Sequence, residues 1–212
     1  MLWSAFFPLI LTEVPLAPPP IVEAQLRRAA IEFCTATQVW VDDTTPNNVV
    51  AGTGTYALST ADTDAAVCGV SQLWYNGALL KFIPLAQMRR YSSHWPSDSG
   101  AVEGFTQLSE AEVTLYKIPT VTIASGIKAR AVFRPSLTSV GVPDWIGEKY
   151  FDTLVNGAKA RLLGMVAAPW ANDKAASLYS SLYKGDSMAT AIARATVTAR
   201  GPSSAPGVGA QE

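Results

Sequence analysis

Histidine, cysteine and charged residues are all scarce in this chain of 212 residues. It has one histidine, two cysteines and 16% charged residues, whereas a globular domain usually has about 25%. His94 lies in the turn-like stretch "YSSHWPSDSG" and has no second histidine with which to form a two-histidine metal site. Cys34 and Cys68 fit no metal or redox spacing, and no serine lies in a nucleophile-elbow pattern. We therefore expect no enzymatic activity and no cofactor.

A basic surface is also missing. The formal net charge is −1, and the pairs Arg27-Arg28 and Arg89-Arg90 are isolated. Proteins that bind nucleic acid in general neutralise phosphates with a basic excess or a basic stripe. The segment "GTGTY" at 52–56 lacks the further glycine, the lysine and the helix start of a phosphate-binding loop. The sequence therefore argues against a general nucleic-acid-binding protein.

The few charges leave less charged surface than usual to face water. Since 49% of the residues are hydrophobic, we expect part of the surface to contact other proteins. A polar surface rich in serine and threonine is the alternative interpretation. Both cysteines fall in apolar periodic segments, so we predict two buried free thiols rather than a disulfide, as in a reducing cytoplasm.

The first 17 residues contain an apolar run, "MLWSAFFPLILTEVP", that does not fit a secretion signal. No Lys or Arg precedes Arg27, Pro8 interrupts the run, and Glu13 ends it. The run is also too short to span a bilayer. We predict an N-terminal arm, residues 1–17, that is buried or contacts a partner, and we expect no membrane contact.

An amphipathic helix is predicted next, over residues 18–36. Pro20 suits the first helical turn, where a missing N–H has no consequence. Apolar residues then recur at steps of four, three and four, and two more widen the stripe. These positions are Val22, Leu26, Ala29 and Phe33, with Ala30 and Cys34 beside them.

The period changes to that of β-strands between residues 37 and 142. About six short runs rich in Val, Thr, Leu and aromatics are separated by Gly, Pro, Asp and Asn. Val70, Leu73 and Trp74 lead into Asn76-Gly77, and residues 79–83 lead away, which predicts a hairpin with a type I′ turn. We expect one further helical turn around residues 85–90.

Two helices are predicted over residues 143–199. The first begins at Pro143-Asp144 and continues to Met165 as one helix. The second is capped by Asn172 or Asp173, has a kink or break at Gly185, and has apolar positions at Leu178, Leu182, Ala189 and Ile192. The tail "GPSSAPGVGAQE", within residues 200–212, has too few apolar residues to order itself, so it is either free or ordered by a partner.

These segments together predict an α+β fold. Helices that are separated by a β block must pack with one another to bury their apolar stripes. We therefore predict a small helical bundle, of one N-terminal and two C-terminal helices, with an inserted antiparallel β region. The domain boundaries follow: an arm at 1–17, a bundle domain at 18–36 and 143–199, a β-rich domain at 37–142, and a flexible tail at 200–212.

Tryptophan is frequent, and two of the tryptophans are candidate contact residues. Trp145 lies at a predicted helix start, and Trp170 follows Pro169. Interfaces favour tryptophan as an anchor, although core packing is the commoner role. Both interpretations remain open from the sequence alone.

Several of these stretches resemble the head-to-tail adaptor (connector, or head-completion) proteins of tailed bacteriophages. The resemblance covers residues 12–185: "TEVPLAPPPIVEAQLRRAAIEFCTATQVW", the Asn-Gly hairpin, "VPDWIGEKYFDTLVNGAKARLLGM" and "APWANDKAASLYSSLYKGD". Its most specific elements are Glu13-Val14-Pro15, the helix Arg28–Cys34 with Trp40 behind it, and the helix from Gly157 to Leu163 followed by Pro169-Trp170. Leu16-Ala17-Pro18 replaces the commoner Gly-Cys-Pro, and the first dozen residues and the tail have no counterpart.

The resemblance implies a structural role in the virion. It implies a homo-oligomeric ring, a dodecamer, between the portal protein and the tail or nozzle proteins in the neck of the particle, assembled in the host cytoplasm. DNA would pass through the lumen without sequence-specific binding. The tail would insert into the portal, which makes Gly201, Pro202 and Pro206 candidate interface residues together with Trp145 and Trp170.

A β-rich binding module of a virion, which recognises a receptor or a glycan, is the alternative function. It predicts that Trp74, Tyr75 and Trp95 form an exposed aromatic platform. The adaptor interpretation makes no such demand on these three residues.

Overall fold

The computed structural model describes residues 1–91 and 94–200. A 3-10 helix (Trp3–Phe6) leads into α1 (Phe7–Leu11), and the longer helices are α2 (Pro19–Thr37), α5 (Phe151–Leu163) and α6 (Asp173–Arg200). Two short helices are α3 (Leu85–Tyr91) and α4 (Asp144–Lys149). The strands are β1 (Val41–Asp43), β2 (Asn47–Val49), β3 (Thr55–Ala57), β4 (Ala65–Tyr75), β5 (Ala78–Leu79), β6 (Lys81–Phe82), β7 (Gly104–Ser109), β8 (Glu112–Tyr116) and β9 (Ile123–Pro135).

The predicted α+β class is confirmed, with 40% helix and 27% strand. One sheet has the order β1-β9-β4-β5, with β2 also paired to β9, and the other has the order β3-β8-β7-β6. Every pair is antiparallel except β6 with β7, which is parallel. The described residues form nine strands rather than about six. Strands of two or three residues are too short to leave a clear period in the sequence.

The predicted Asn-Gly hairpin is confirmed. Trp74 pairs with Leu79 and Tyr75 with Ala78, so Asn76 and Gly77 form a two-residue loop. Their φ angles of 47° and 80° are both positive, as a type I′ turn requires. The departing strand is shorter than predicted, because the chain leaves the first sheet after Leu79 and residues 81–82 pair with β7 in the second sheet.

Helix α2 forms where the apolar spacing predicts it. Pro18 precedes the helix, and Pro19 and Pro20 occupy its first turn. All six predicted stripe positions are fully buried: Val22, Leu26, Ala29, Ala30, Phe33 and Cys34. Gln38 then adopts a left-handed conformation with φ 51° and ends the helix.

The single helix predicted from Pro143 to Met165 is wrong, since the chain forms α4 and α5 instead. Tyr150 separates them with φ −117° and ψ 25°, outside the helical region. Its backbone remains paired, because its N–H donates to Ile146 O and its carbonyl accepts from Leu154 N. The Tyr150 ring packs against Phe33 at 4.9 Å between centroids, so the break directs this side chain onto α2.

A kink or break was predicted at Gly185; helix α6 is continuous through this residue, so a break there is wrong. The predicted cap is confirmed, because the Asn172 side-chain Oδ1 accepts from Ala175 N at 3.1 Å. The packed face differs from the predicted one: Tyr179 and Tyr183 face the other helices, whereas the predicted apolar positions are exposed.

The N-terminal segment packs into the interior. Trp3, Phe6, Ile10 and Val14 are buried. The Phe6 ring stacks on Phe151 of α5 at 4.6 Å, and the Trp3 indole N–H donates to Ser139 O at 2.8 Å. The N-terminal arm was predicted to be buried or to contact a partner. These four side chains are buried.

One hydrophobic core contains residues from the helices and from both sheets. Helix α2 lies against α5 on one side and contacts β9 on another. A smaller cluster of Ile83, Met88 and Tyr116 lies under α3. Both cysteines are free: Cys34 is buried as predicted, and Cys68 is half-buried.

Candidate interaction surface

A close three-helix contact fixes the orientation of α6. Gly157 of α5 lies where an added Cβ would come within 2.8 Å of the Tyr183 ring and 2.9 Å of the Ala29 Cβ. The buried Tyr183 hydroxyl donates to Ala29 O at 2.8 Å. The glycine therefore lets a tyrosine of α6 reach the backbone of α2 across α5. The face of α6 that carries Tyr183 therefore points toward the interior.

A charged cluster ties the N-terminal segment to the same helices. Lys159, which is almost fully buried, lies 2.6 Å from a Glu13 carboxylate oxygen, and its ammonium is 5.1 Å from the centre of the Tyr179 ring. The Tyr179 hydroxyl donates to the other Glu13 oxygen. The hydrogen bond from Lys159 lowers the pKa of Glu13 most, followed by that from Tyr179. Donation to Glu13 raises the pKa of Tyr179 to about 12.

An exposed face of α6 carries an apolar stripe, which we call the outer stripe: Leu178, Leu182, Gly185, Ala189 and Ile192. Successive members are four, three, four and three residues apart, so they lie on one line along the helix. Leu178 is 58% exposed, Leu182 45% and Ile192 56%. Single exposed leucines are ordinary on protein surfaces, whereas a row of apolar residues along one helix face is a candidate interaction site.

A groove adjoins the outer stripe near the C-terminal half of α6. It has a volume of about 530 Å³ and runs between α4 and α6. We call it the Trp145 groove, because this side chain is 46% exposed at its wall. The other lining residues are Val39, Lys149, Tyr150, Ala189, Thr190, Ala193 and Arg194. Its lining is mainly apolar, so it suits aliphatic side chains.

The other predicted interface residues lie elsewhere. Trp170 is half-buried against the main core, and its indole N–H donates to Leu162 O at 3.1 Å. This position therefore has the features of a packing residue. Gly201, Pro202 and Pro206 lie outside the described residues.

The aromatic residues that the binding-module alternative places together are half-buried in different surroundings. Tyr75 packs against the main core, and Trp95 against the cluster under α3. Trp74 lines a separate groove of about 400 Å³ with Asp43, Lys128 and Arg130. Asp43 lies 2.8 Å from Lys128 and 3.1 Å from Arg130. The hydrogen bond from Lys128 is the main cause of the lowered Asp43 pKa.

The thiols and carboxylates of the described residues are arranged for packing and ion pairing. Burial raises the pKa of Cys34 to about 12, so this thiol is protonated at neutral pH. Among residues 1–91 and 94–200, no three His, Cys, Asp or Glu side chains converge on a point that would hold a metal ion. Within the same residues, no helix has the length and apolar character that crossing a membrane demands.

The sequence matches no protein-family model and no curated protein. The fold and its surfaces define an α+β protein with an apolar helical face available for contact. Sequence periodicity located the members of the outer stripe, but it did not reveal that they face away from the core. The neighbouring Tyr179 and Tyr183, four residues apart, were the signal for the packed face.

Proposed function

We propose that this protein is a structural component of a tailed-phage virion: a head-to-tail adaptor that forms a ring between portal and tail and continues the DNA channel. The observation that supports this proposal is the outer stripe together with the Trp145 groove. The stripe lies on α6 and the groove lies between α4 and α6, and the Gly157–Tyr183 contact holds α6 in one orientation. A rigid helix with a second apolar face suits a subunit that packs between two copies of itself.

The architecture that we propose for this role is a bundle domain of α2, α5 and α6 with residues 37–142 inserted as a β-rich domain. Two polar contacts between helices support the bundle, in addition to the Tyr183 bond. Arg161 of α5 forms an ion pair with Glu32 of α2. The Thr153 hydroxyl lies 3.2 Å from the Asp186 carboxylate of α6.

The proposed partners are those that the resemblance to head-to-tail adaptors implies. The ring is a dodecamer of this chain, the residues after α6 contact the portal protein, and the β-rich domain faces the tail or nozzle proteins. DNA passes through the lumen without sequence readout, which agrees with the net charge of −1. The proposed location is the neck of the particle at the portal vertex, and we propose no membrane contact.

The direct test is electron cryo-microscopy of virions focused on the portal vertex. We expect a closed ring between portal and tail into which this sequence can be traced, with the residues after Arg200 ordered against the portal. Density for the chain at the tail tip or on the capsid surface, or its absence from the particle, would reject the adaptor function.

A second candidate, the receptor- or glycan-binding module, is favoured by one observation: the groove at Trp74. An indole beside Lys128 and Arg130 suits a ligand with a flat apolar face and an acidic group. Trp74→Ala and Arg130→Ala should then each reduce binding to an array of acidic glycans at least tenfold, with Trp95→Phe as the control. Equal binding by all variants, or binding by none including the parent, would reject this function.

A further inference from the structure

The outer stripe of α6 has the spacing of a helix-packing seam. The alternation of four and three residues extends from Leu178 to Ile192 and continues to Thr196. This spacing averages 3.5 residues, the repeat at which a second helix stays in contact along the line. From residue 178 to residue 196 the seam is about 27 Å long at ~1.5 Å per residue.

Small residues lie in the middle of this seam. Gly185 and Ala189 separate Leu182 from Ile192, and space around Gly185 is open, since nothing lies within 4 Å of an added Cβ. Another backbone can approach closely there. The seam thus has a raised, leucine-bearing half at residues 178–182 and a flat half at residues 185–192.

The flat half merges with the Trp145 groove, because Ala189 belongs to both. Ala193 lies on the groove side of α6, and Trp145 lines the groove from α4. The same molecule therefore presents a convex leucine ridge and, about 16 Å farther along the helix at ~1.5 Å per residue, a concave apolar groove with an aromatic wall. An apolar ridge and a mainly apolar groove can pack together, but here they occupy different places on the molecule.

The tail of this chain is a poor occupant for the groove or the stripe. Residues 201–212, "GPSSAPGVGAQE", contain Val208 as their one branched aliphatic side chain. Such a segment cannot match a line of two leucines and an isoleucine. A second helix of the same composition can.

The small size of the outer stripe limits the ways in which two copies can form a stable contact. The outer stripe has five residues, whereas each partner contributes about 20–30 residues to a standard stable interface. Two stripes paired face to face would form a small contact and leave the Trp145 groove open. A head-to-tail contact uses both features, and a ring gives every copy two such contacts.

We propose that the leucine ridge of one copy, Leu178 and Leu182, seats in the Trp145 groove of the next copy. The two α6 helices then lie side by side with an axial offset. This inference rests on the proposed adaptor function, because only that function requires the copies to close into a ring. It names the surfaces through which neighbouring subunits of the ring meet. One such contact is weak by area, so dilute protein is monomeric and the contact strengthens when many copies close a ring.

Disulfide cross-linking of the full chain tests the proposal. Leu182→Cys and Ala193→Cys are combined in a Cys68→Ser background, which leaves Cys34 buried. Mild oxidation of concentrated protein should give dimers, trimers and higher multimers on a non-reducing gel, because every copy carries both halves of the contact. Each single variant should give none. Adding Trp145→Ala to the double variant should lower the multimer yield at least tenfold, since the groove loses its wall.

Lys184→Cys with Ala193→Cys is the matched control, because Lys184 points away from the stripe on the same helix. Multimers no more abundant than in this control would overturn the proposal. Dimers from Leu182→Cys alone would overturn it too, since they would mean that two stripes pair face to face. Microscopy of the portal vertex separates the two hypotheses: a ring there without these cross-links keeps the adaptor function and rejects this contact. Cross-links without a ring at the vertex would support this contact and reject the adaptor function.

Discussion

Single glycines in two helices of this protein have opposite roles. Gly157 lies under the Tyr183 ring and beside the Ala29 Cβ, whereas Gly185 faces open space. Both residues have the low helix propensity of glycine, which is worth about 1 kcal/mol relative to alanine. Only the packing around them differs, so a methyl group added at each position separates packing from propensity.

We predict that Gly157→Ala destabilises the protein and that Gly185→Ala stabilises it. The added methyl at Gly157 meets two side chains at 2.8–2.9 Å, and such overpacking costs about 1–3 kcal/mol. The same methyl at Gly185 meets nothing and adds up to about 1 kcal/mol of helix propensity. Urea unfolding of both variants measures the difference. Equal stability of the two would mean that the three-helix contact is looser than described.

The ion pair at Glu13 makes a pH-dependent contribution to stability. Its pKa is lower in the folded protein than its ordinary value, because Lys159 and Tyr179 donate to it. A lowered carboxyl pKa stabilises the folded state above the unfolded pKa, and this stabilisation is lost as the pH falls through the folded pKa.

We therefore predict that Glu13→Gln is less stable than the parent at pH 7 and that the gap narrows below pH 4. Thermal unfolding across this range measures it. Glu148→Gln, at an exposed position of α4, is the control and should leave the profile unchanged. A gap that stays constant down to pH 3 would mean that the charge of Glu13 contributes nothing and that only its shape matters.

At the scale of elements, the start of α6 depends on one side chain. Asn172 Oδ1 accepts from Ala175 N at the first turn, and losing such a cap costs about 1 kcal/mol. We predict that Asn172→Ala lowers the free energy of unfolding by this amount. Asn172→Ser, which retains a capping oxygen, should be close to the parent. If both variants unfold alike, the cap is unimportant and α6 is held by its packing alone.

The elements that sequence predicts well here are those with strong local signals. The Pro18–Pro20 entry and a single apolar stripe defined α2, and Asn76-Gly77 defined the hairpin. Helix α6 was harder, because Leu178 and Tyr179 begin two apolar lines about 100° apart around one helix. Periodicity identifies both lines but cannot say which of them meets the core.

The local sequence, by contrast, does not indicate which strands pair with one another. Strand β9 pairs with β1, β2 and β4, which precede it by many residues. Neither the spacing of apolar residues nor the turn residues specify such distant partners. The same holds for the Trp145 groove, since α4 and the end of α6 meet only after the whole chain has folded.

At the scale of the whole molecule, the residues after α6 are predicted to act in attachment rather than in folding. A chain that ends at Arg200 keeps every described contact, so its thermal unfolding should equal that of the full chain. In a phage that carries this truncation, we expect heads without attached tails, because the proposed contact with the portal is lost. Normal tailed particles would place the portal contact elsewhere, and a lower unfolding temperature would give the tail a role in the fold.

The order of the elements along the chain also governs how the protein must form during synthesis. Helix α2 is synthesised before β9 and α5, which contact it and follow about a hundred residues later. At roughly 5–20 residues per second, that delay is about 5–20 seconds. During this interval the helix has only the N-terminal segment as a native partner, so part of its apolar stripe stays uncovered and the nascent chain is open to aggregation until Leu163 has emerged.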